Sequence, residues 1–489
     1  MSKVIVIGSG FSGLSAASYL SAAGHEVHVF EKNASAGGRA RQLKDQGYVF
    51  DMGPSWYWMP DVFERFFNDF GYKVSDFYEL KLLDPSFDIV FPDGETMSIP
   101  ENYQNLSLMF ESIQKGSSSS LDEFMREAQF KYETGMESLV YKPGLSLTEF
   151  ADIDLIRGTI RLQVFSSFRK HVRKFFSNQK LIALMEFPVL FLGAMPQDTP
   201  ALYSLMNYAG LKLGTWYPVG GFGKVIEGFM EVAKRKGTEI HFNSPVDQII
   251  IEKNKVAGIM VKGIRIDCDA LIASADYHHV ESKLLPEKYR NYKESYWEKK
   301  IFAPSCLIFY IGIKKKLKYH HHHTLFFDED IEQHAIEIYK KPQWPNKPLF
   351  YVCCPSCSDD SIAPDGYENL FFLMPLAPGL EDTEILREKY FNIIIDRFNK
   401  HVHEDINEYL DYKKSYCVRD FITDYHSYKG NAYGLANTLM QTANLKPSIR
   451  NKKINNLFYT GQLTVPGPGV PPSIISGKVA AGQLIKYFK

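Results

Sequence analysis

Val4-Ile-Val-Ile-Gly8-Ser-Gly10-Phe11-Ser12-Gly13 lies near the start of the chain, and a run of mostly small residues separates it from Val27-His-Val-Phe-Glu31-Lys32. The four apolar residues at 4–7 predict a parallel strand buried on both faces. Gly8 permits a tight turn, Gly10 removes the Cβ that would block a pyrophosphate, and Gly13 lets the next helix pack close to the strand. That helix covers 14–23 and stops at Gly24. Its N-terminus, with unpaired N–H groups and the positive end of the dipole, is where a pyrophosphate sits. A second strand over 27–30 leads into Glu31, eighteen residues after Gly13, about where a carboxylate meets a ribose hydroxyl. Strand, turn, helix, strand and acid in register predict a dinucleotide-binding unit and an α/β fold of Rossmann type.

Gly37-Gly38-Arg39 narrows the dinucleotide to FAD. Two glycines past the second strand let backbone run close to a diphosphate, and the arginine fork pairs with phosphate oxygens. Asp51-Met-Gly53-Pro54-Ser55-Trp56 follows as a second loop signal, one that a plain NAD-binding unit does not need.

These features are similar to those of the two-dinucleotide-binding flavoproteins, which include amine oxidases, Rab-type dissociation inhibitors and carotenoid desaturases. Three later segments choose among them. Tyr319, His320 to His323 and Thr324-Leu-Phe-Phe resemble the His-His-aromatic element of bacterial-type carotenoid desaturases. Ser361-Ile-Ala-Pro364-Asp-Gly366 and Glu368-Asn-Leu-Phe-Phe-Leu-Met-Pro375 resemble their Ala-Pro-Glu-Gly element and the strand after it. Asn456-Leu-Phe-Tyr-Thr-Gly461, then Thr464, Pro466-Gly-Pro-Gly469-Val470-Pro471 and Ser476-Gly477, resemble their C-terminal signature. Gln462-Leu463 stands where small residues are usual and Val465 where a polar one is usual, so the pocket beside the flavin is expected to differ.

The resemblance covers about residues 1–489. It implies an amine-oxidase-like α/β flavoprotein in which a Rossmann-like FAD-binding domain is assembled from 1–75, 216–283 and 446–489. A mixed-sheet and helical substrate domain takes 76–215 and 284–445. Cofactor contacts are expected from Gly8, Gly10, Phe11, Ser12, Gly13, Glu31, Lys32, Gly38, Arg39, Gly53, Pro54, Ser55 and Trp56. Val246 is expected to offer backbone to the adenine. Gly461, Gly469, Val470 and Pro471 are expected at the pyrimidine end of the ring, where a helix N-terminus stabilises negative charge.

Composition is compatible with a large enzyme. The chain has 489 residues and a net charge of −1, so no strong field points to nucleic acid as a partner. Its 35 Phe and 29 Tyr suit either a large core or an aromatic tunnel for a polyene. The first strand begins by Lys3 and no window of eighteen uncharged apolar residues occurs, so neither a signal peptide nor a membrane span is expected. Six cysteines are too few for a disulfide scaffold and fit a reducing cytoplasm. Cys354-Pro-Ser-Cys357 has redox-motif spacing, but no second pair completes a zinc tetrad and it opens no helix. The four histidines at 320–323 read as a structural element or as pocket wall. No metal is expected. Gly116-Ser117-Ser-Ser-Ser120 reads as a flexible loop between helices.

Residues 155–192 mix apolar and basic side chains, with Arg157, Arg161, Arg169, Lys170, Arg173, Lys174 and Lys180 and almost no acid before Glu186. Apolar residues recur at helical spacing among them, the pattern of an interfacial helix on anionic lipid. With the resemblance, this implies a monotopic protein, cytoplasmic and peripheral on the cytoplasmic membrane, that draws a carotenoid from the bilayer. The reaction implied is FAD-dependent desaturation, a carotenoid C–C single bond becoming C=C by hydride transfer to flavin, on phytoene-type or on hydroxylated or monocyclic substrates at the 3,4-bond. A carotenoid oxygenase or isomerase of the same family shares every motif, and a flavin amine oxidase is the more distant alternative. No catalytic base stands out, and the oligomeric state is left open.

Overall fold

Pairing of the N-terminal strand organises the first half of the architecture in the computed structural model, which describes residues 1–146, 166–318 and 320–489. Lys3–Ile7 lies parallel between Glu26–Phe30 and Ala270–Ala273. Leu457–Tyr459 extends the sheet on one side and Glu239–His241 on the other, giving five strands, all parallel. Val4, Ile5 and Val6 have no exposure, because both faces are covered. On one face Val4 and Val6 pack with Ala16, Ala17 and Leu20 of helix Phe11–Ala22 and with Ala480 and Leu484 of helix Val470–Phe488. On the other, Ile5 and Ile7 share a cluster with Ile249, Val256 and Ile259 of a three-stranded antiparallel sheet.

The two helices approach closely because glycine allows it. A Cβ on Gly477 would lie 2.4 Å from the Ser12 carbonyl oxygen, and Ser15 Oγ donates to the Ile474 carbonyl at 2.8 Å.

A seven-stranded sheet forms the floor of the second half, in the order Leu410–Tyr416, Ser305–Ile313, Glu368–Leu376, Phe350–Cys353, His323–Phe326, Phe87–Val90 and Thr96–Ile99. It is antiparallel except where His323–Phe326 runs parallel to Phe87–Val90. Leu307, Phe309 and Ile311 point to helix Glu384–Val402, while Cys306, Ile308 and Tyr310 point to the opposite, cavity side. This is the period-two alternation of a strand.

Two expectations are corrected. Ser117 to Ser120 are no loop: they open the helix Ser117–Thr134. Gly116 takes φ +82° as its N-cap, and the Glu111 carboxylate of the preceding helix accepts from Gly116 N at 2.8 Å and Ser118 N at 3.1 Å. The cap comes from another element, so local composition does not show it.

The basic segment also differs. Its residues 155–165 lie outside the described residues. In the rest, Phe168, Val172 and Phe176 are buried in the core rather than offered to a lipid surface. Arg169 pairs with Glu332 at 3.1 Å and Glu186 at 3.7 Å, and Lys180 with Asp93 at 2.7 Å and Glu95 at 2.5 Å. Glu186 is the segment's own acid, and Glu332, Asp93 and Glu95 are supplied by distant elements. Lys170, Arg173 and Lys174 remain exposed.

Candidate active site

A cavity of about 490 Å³ runs from the carboxyl ends of the parallel strands to the seven-stranded sheet, the usual position for a ligand in such a sheet. Of the residues expected to contact a cofactor, Gly8, Gly10, Phe11, Ser12, Glu31, Lys32, Gly38, Arg39, Gly53, Pro54, Ser55, Trp56, Val246, Gly461, Gly469, Val470 and Pro471 all line it. Gly13 does not. Its missing Cβ would sit 2.0 Å from the Gly8 carbonyl oxygen, so it faces the strand and serves packing alone.

At the dinucleotide end the polar side chains are held tightly. Glu31 is 5% exposed. Ser9 N and Oγ donate to its Oε2 at 2.9 and 2.8 Å, and Asn33 N and Nδ2 donate to its Oε1 at 2.9 Å each. Gly37 takes φ +114° and its N–H donates to Ser9 O at 2.9 Å, which lays the Gly37-Gly38 turn over Gly10. Arg39 Nη2 donates to Ser427 Oγ at 3.0 Å and Asn431 O at 3.3 Å, and the guanidinium lies 5.1 Å from the Tyr425 ring centre. In the amide orientation that satisfies both partners, Gln462 Oε1 accepts from Arg39 Nη2 at 3.0 Å and Nη1 at 3.3 Å.

Burial lowers the Arg39 pKa, while the Asp276 carboxylate opposes that shift; Asp276 in turn is raised by burial. Arg39 Nε and Asp276 Oδ2 are buried without hydrogen-bond partners. These orphaned groups line the same cavity as two helix N-termini, at Gly10 and Gly469, neither of which has a side-chain cap. A Cβ on Gly10 would meet nothing within 4 Å. Free backbone donors, a guanidinium and open space over Gly10 form the donor set a diphosphate requires, so the residues fit a dinucleotide.

Gly461 takes φ +107°, and Ser12 Oγ would lie 3.2 Å from a Cβ placed on it. Its N–H donates to Ser476 Oγ at 3.0 Å, and Thr464 Oγ1 donates to its carbonyl at 2.8 Å. Gln462 and Leu463, the unusual pair in the C-terminal signature, line the cavity; Val465 is buried away from it. The pocket difference expected at Val465 is therefore absent.

The far arm is apolar. Trp58, Phe187, Leu325, Phe327, Ile338 and Leu349 are among its walls. His334 lines it too, but Nδ1 accepts from Leu349 N at 3.0 Å and Nε2 lies 3.1 Å from Pro375 O, where it donates. Burial pushes its pKa down to about 4, so it stays neutral. Within the histidine run, His323 stacks on Trp56 with ring centres 4.2 Å apart and lies 2.6 Å from the Tyr351 hydroxyl. Tyr351 also hydrogen-bonds Ser55 Oγ at 2.9 Å. The run thus stands behind the wall rather than in it.

Sequence reasoning missed helix Val418–Tyr425, which carries no glycine motif. It folds back to the dinucleotide end, where Lys32 Nζ donates to Thr423 O at 2.6 Å and Arg41 pairs with Asp424 at 2.7 Å. The wall helix Ile331–Tyr339 was equally invisible. Neither has a local signal beyond ordinary apolar periodicity.

The family model described as flavin-containing amine oxidoreductase matches residues 11–485. The chain belongs to that family. This flavoprotein is 39% identical to a carotenoid 3,4-desaturase of Haloarcula japonica, over 99% of this chain and 98% of the relative. It is 29% identical to a 4,4'-diapophytoene desaturase of Staphylococcus aureus, over 99% of each chain. Among solved structures, the cyclohexylamine oxidase of Brevibacterium oxydans superposes with a TM-score of 0.59 at 13% identity, covering 100% of this chain and 99% of that one, which speaks for the fold. The flavoprotein thus groups with the carotenoid desaturases, and FAD is its cofactor.

Proposed function

We propose that this flavoprotein desaturates a carotenoid, at the 3,4-bond in keeping with the name of its Haloarcula relative. One observation carries the reading: every charged side chain lining the cavity belongs to the dinucleotide end. Among the described residues, the lining carboxylates are Glu31, Asp276 and Asp424, and the lining cations are Lys32 and Arg39. The far arm offers a cation no counter-charge, which disfavours a polar amine, and its aromatic walls suit a long apolar polyene.

Gly8, Gly10, Phe11 and Ser12 would hold the pyrophosphate, with Gly38 and Arg39 closing over it. Glu31 and Lys32 would face the ribose, and Val246 the adenine. Gly461, Gly469, Val470 and Pro471 would reach the pyrimidine end of the ring, and Gly53 to Trp56 would pass between ring and substrate. We take 1–75, 216–283 and 446–489 as the FAD-binding domain and the remainder as the substrate domain. Bound FAD would supply the two-electron acceptor for a hydride leaving the carbon next to the polyene. The neighbouring carbon would give up a proton that passes on to solvent, so that two hydrogens leave for each C=C formed. The residues of the arm align that carbon and exclude water. Their neutrality costs little, because the developing allylic cation is spread along the conjugated chain.

No helix among the described residues is long and apolar enough to cross a membrane. For docking to an anionic bilayer we propose Lys170, Arg173 and Lys174, each contributing about 1 kcal/mol near the surface. Replacing the three by Gln should reduce sedimentation with phosphatidylglycerol vesicles while FAD content stays parental. Unchanged sedimentation, or none by the parent, ends that part of the reading.

The reaction is tested by expressing the chain with a set of carotenoid precursors and following absorption spectra and product mass. A red-shifted product lacking two hydrogens is expected. A product that gains oxygen, or one of unchanged mass, would mark an oxygenase or an isomerase instead.

A further inference from the structure

The Cys354-Pro-Ser-Cys357 turn lacks a second cysteine pair in sequence, but the fold brings it other donors. One ligand atom from each of His320, Cys354 and Cys357 lies within 4.8 Å of the other two. Glu368 Oε1 stands 4.0 Å from Cys357 Sγ. None of the four lines the cavity, and both cysteines are free thiols. We infer that His320, Cys354 and Cys357 bind a divalent thiophilic cation, with Zn²⁺ the natural occupant and Glu368 swinging in as the fourth donor.

The donor types are those zinc selects, two thiolates, an imidazole and a carboxylate. With Zn–S about 2.3 Å and Zn–N about 2.0–2.1 Å, the edges of a tetrahedral site measure roughly 3.3–3.8 Å. For His320, Cys354 and Cys357 the present spacings need to contract by only about 1 Å to reach that range, while Glu368, 4.0 Å from Cys357 Sγ, has further to move. His320 supplies the independent sign of a missing partner. It is 8% exposed, and both its ring nitrogens are buried with no hydrogen-bond partner. A neutral imidazole buried with one unmet donor and one unmet acceptor is costly, and a metal on one nitrogen removes part of that cost.

The surrounding backbone holds the donors in place. Cys354 N donates to His322 O at 2.8 Å, and Cys357 N donates to Cys354 O at 3.1 Å. Glu368 Oε2 accepts from Leu317 N at 3.1 Å, which leaves Oε1 toward the Cys357 thiol. Cys357 is exposed and gives an entry path, while Cys354 is fully buried.

A second triad, His322, His323 and Cys353, is wholly buried. There His322 Nδ1 is engaged by Ser358 and His323 Nδ1 by Tyr351, and no member reaches the surface. The third, His28, Glu239 and His241, lies at a sheet edge and bonds within itself. Bound metal at the first site would clip the start of the histidine run to the turn after Phe350–Cys353 and to strand Glu368–Leu376. It would therefore fasten the sheet behind Trp56.

The test uses FAD-loaded enzyme reduced with a phosphine, its thiols counted, and dialysed against Co²⁺ as probe. Tetrahedral d–d bands and thiolate-to-cobalt charge transfer are expected at one metal per chain, both erased by Zn²⁺. Cys357→Ser and His320→Gln should weaken cobalt binding by more than about tenfold, since losing even a group that only supports a ligand costs roughly ten- to a hundredfold, and Cys353→Ser should leave it unchanged. Retained FAD absorbance and circular dichroism show that the variants are folded. The inference is overturned if the reduced parent shows no cobalt bands. It is equally overturned if the bands persist in Cys357→Ser and His320→Gln, or disappear in Cys353→Ser.

Discussion

At the dinucleotide end, Glu31 accepts four hydrogen bonds and Arg39 reaches Ser427, Asn431 and Gln462. At the far end the walls carry no charge, and the one histidine there has both nitrogens occupied by backbone. The first end constrains backbone conformation and donor geometry, so few residues satisfy each position. The second constrains volume and polarity, which many apolar residues satisfy equally well. A cofactor is therefore written into the chain as a motif, whereas a polyene is written as a shape.

The sharpest way to break this contrast is Glu31→Arg. It places a cation among four donors that then lack an acceptor, each unmet group costing about 1–3 kcal/mol. FAD retained after desalting should fall to a trace; a mutant as yellow as the parent would refute the assignment. Gly461→Leu comes next. It puts a branched side chain at φ +107° beside Ser12, a conformation L residues rarely adopt. Turnover should drop by more than tenfold, corresponding to more than about 1.4 kcal/mol, and by more than the loss of folding stability. Near-parental turnover would place Gly461 away from the ring.

Ala335→Phe probes the other end. Ala335 is buried in the wall helix, and a phenyl ring there fills the arm without touching the dinucleotide cradle. Desaturation should fall about tenfold, the scale of a misfit in an apolar pocket, with FAD content unchanged. Loss of FAD along with activity would show that the two ends are not separable.

The smallest effect is a pH dependence. Burial lowers the pKa of His279, at the dinucleotide end, to about 3, with His426 and Lys32 adding to the shift, and that of His334 to about 4. Both folded values lie below the unfolded value of about 6.5. The stability of the neutral forms is thus complete above that pH and is lost as pH falls towards 4 and then 3. A bound diphosphate favours the charged form of His279 but not of His334. The melting temperature should therefore drop between pH 6.5 and 4 less steeply with FAD than without it. His334→Gln should flatten both curves. Parallel curves with and without FAD would remove His279 from the diphosphate.

Legibility in the sequence follows the same division. The opening βαβ unit, the glycine turn at 37–38 and the C-terminal strand and helix were readable, because glycine, acid and apolar run each answer a local backbone demand. Helix Val418–Tyr425 was not, since its contacts with Lys32 and Arg41 span most of the chain. Nor were the partners of Arg169 and Lys180, or the Glu111 cap of helix Ser117–Thr134. Each depends on a side chain delivered by another element, and composition within a window carries no trace of it. Gly13 and Val465 show the converse: a motif position marks a need for glycine, or a departure from a pattern, without saying which atom it faces.

The strand order of the parallel sheet also sets a schedule for biosynthesis. Lys3 leaves the ribosome early, yet it bonds to Asp269, 266 residues later. At about 5–20 residues per second that is a wait of roughly 13–53 s. Throughout it, residues 4–7 are an apolar strand with one neighbour missing, the kind of edge that recruits chaperones or other nascent chains. Ala270–Ala273 then waits in turn for Leu457–Tyr459. The second uncapped helix N-terminus, at Gly469, is made later still. Flavin capture consequently waits for residues 457–473, and a chain stalled before them has no complete pocket to load.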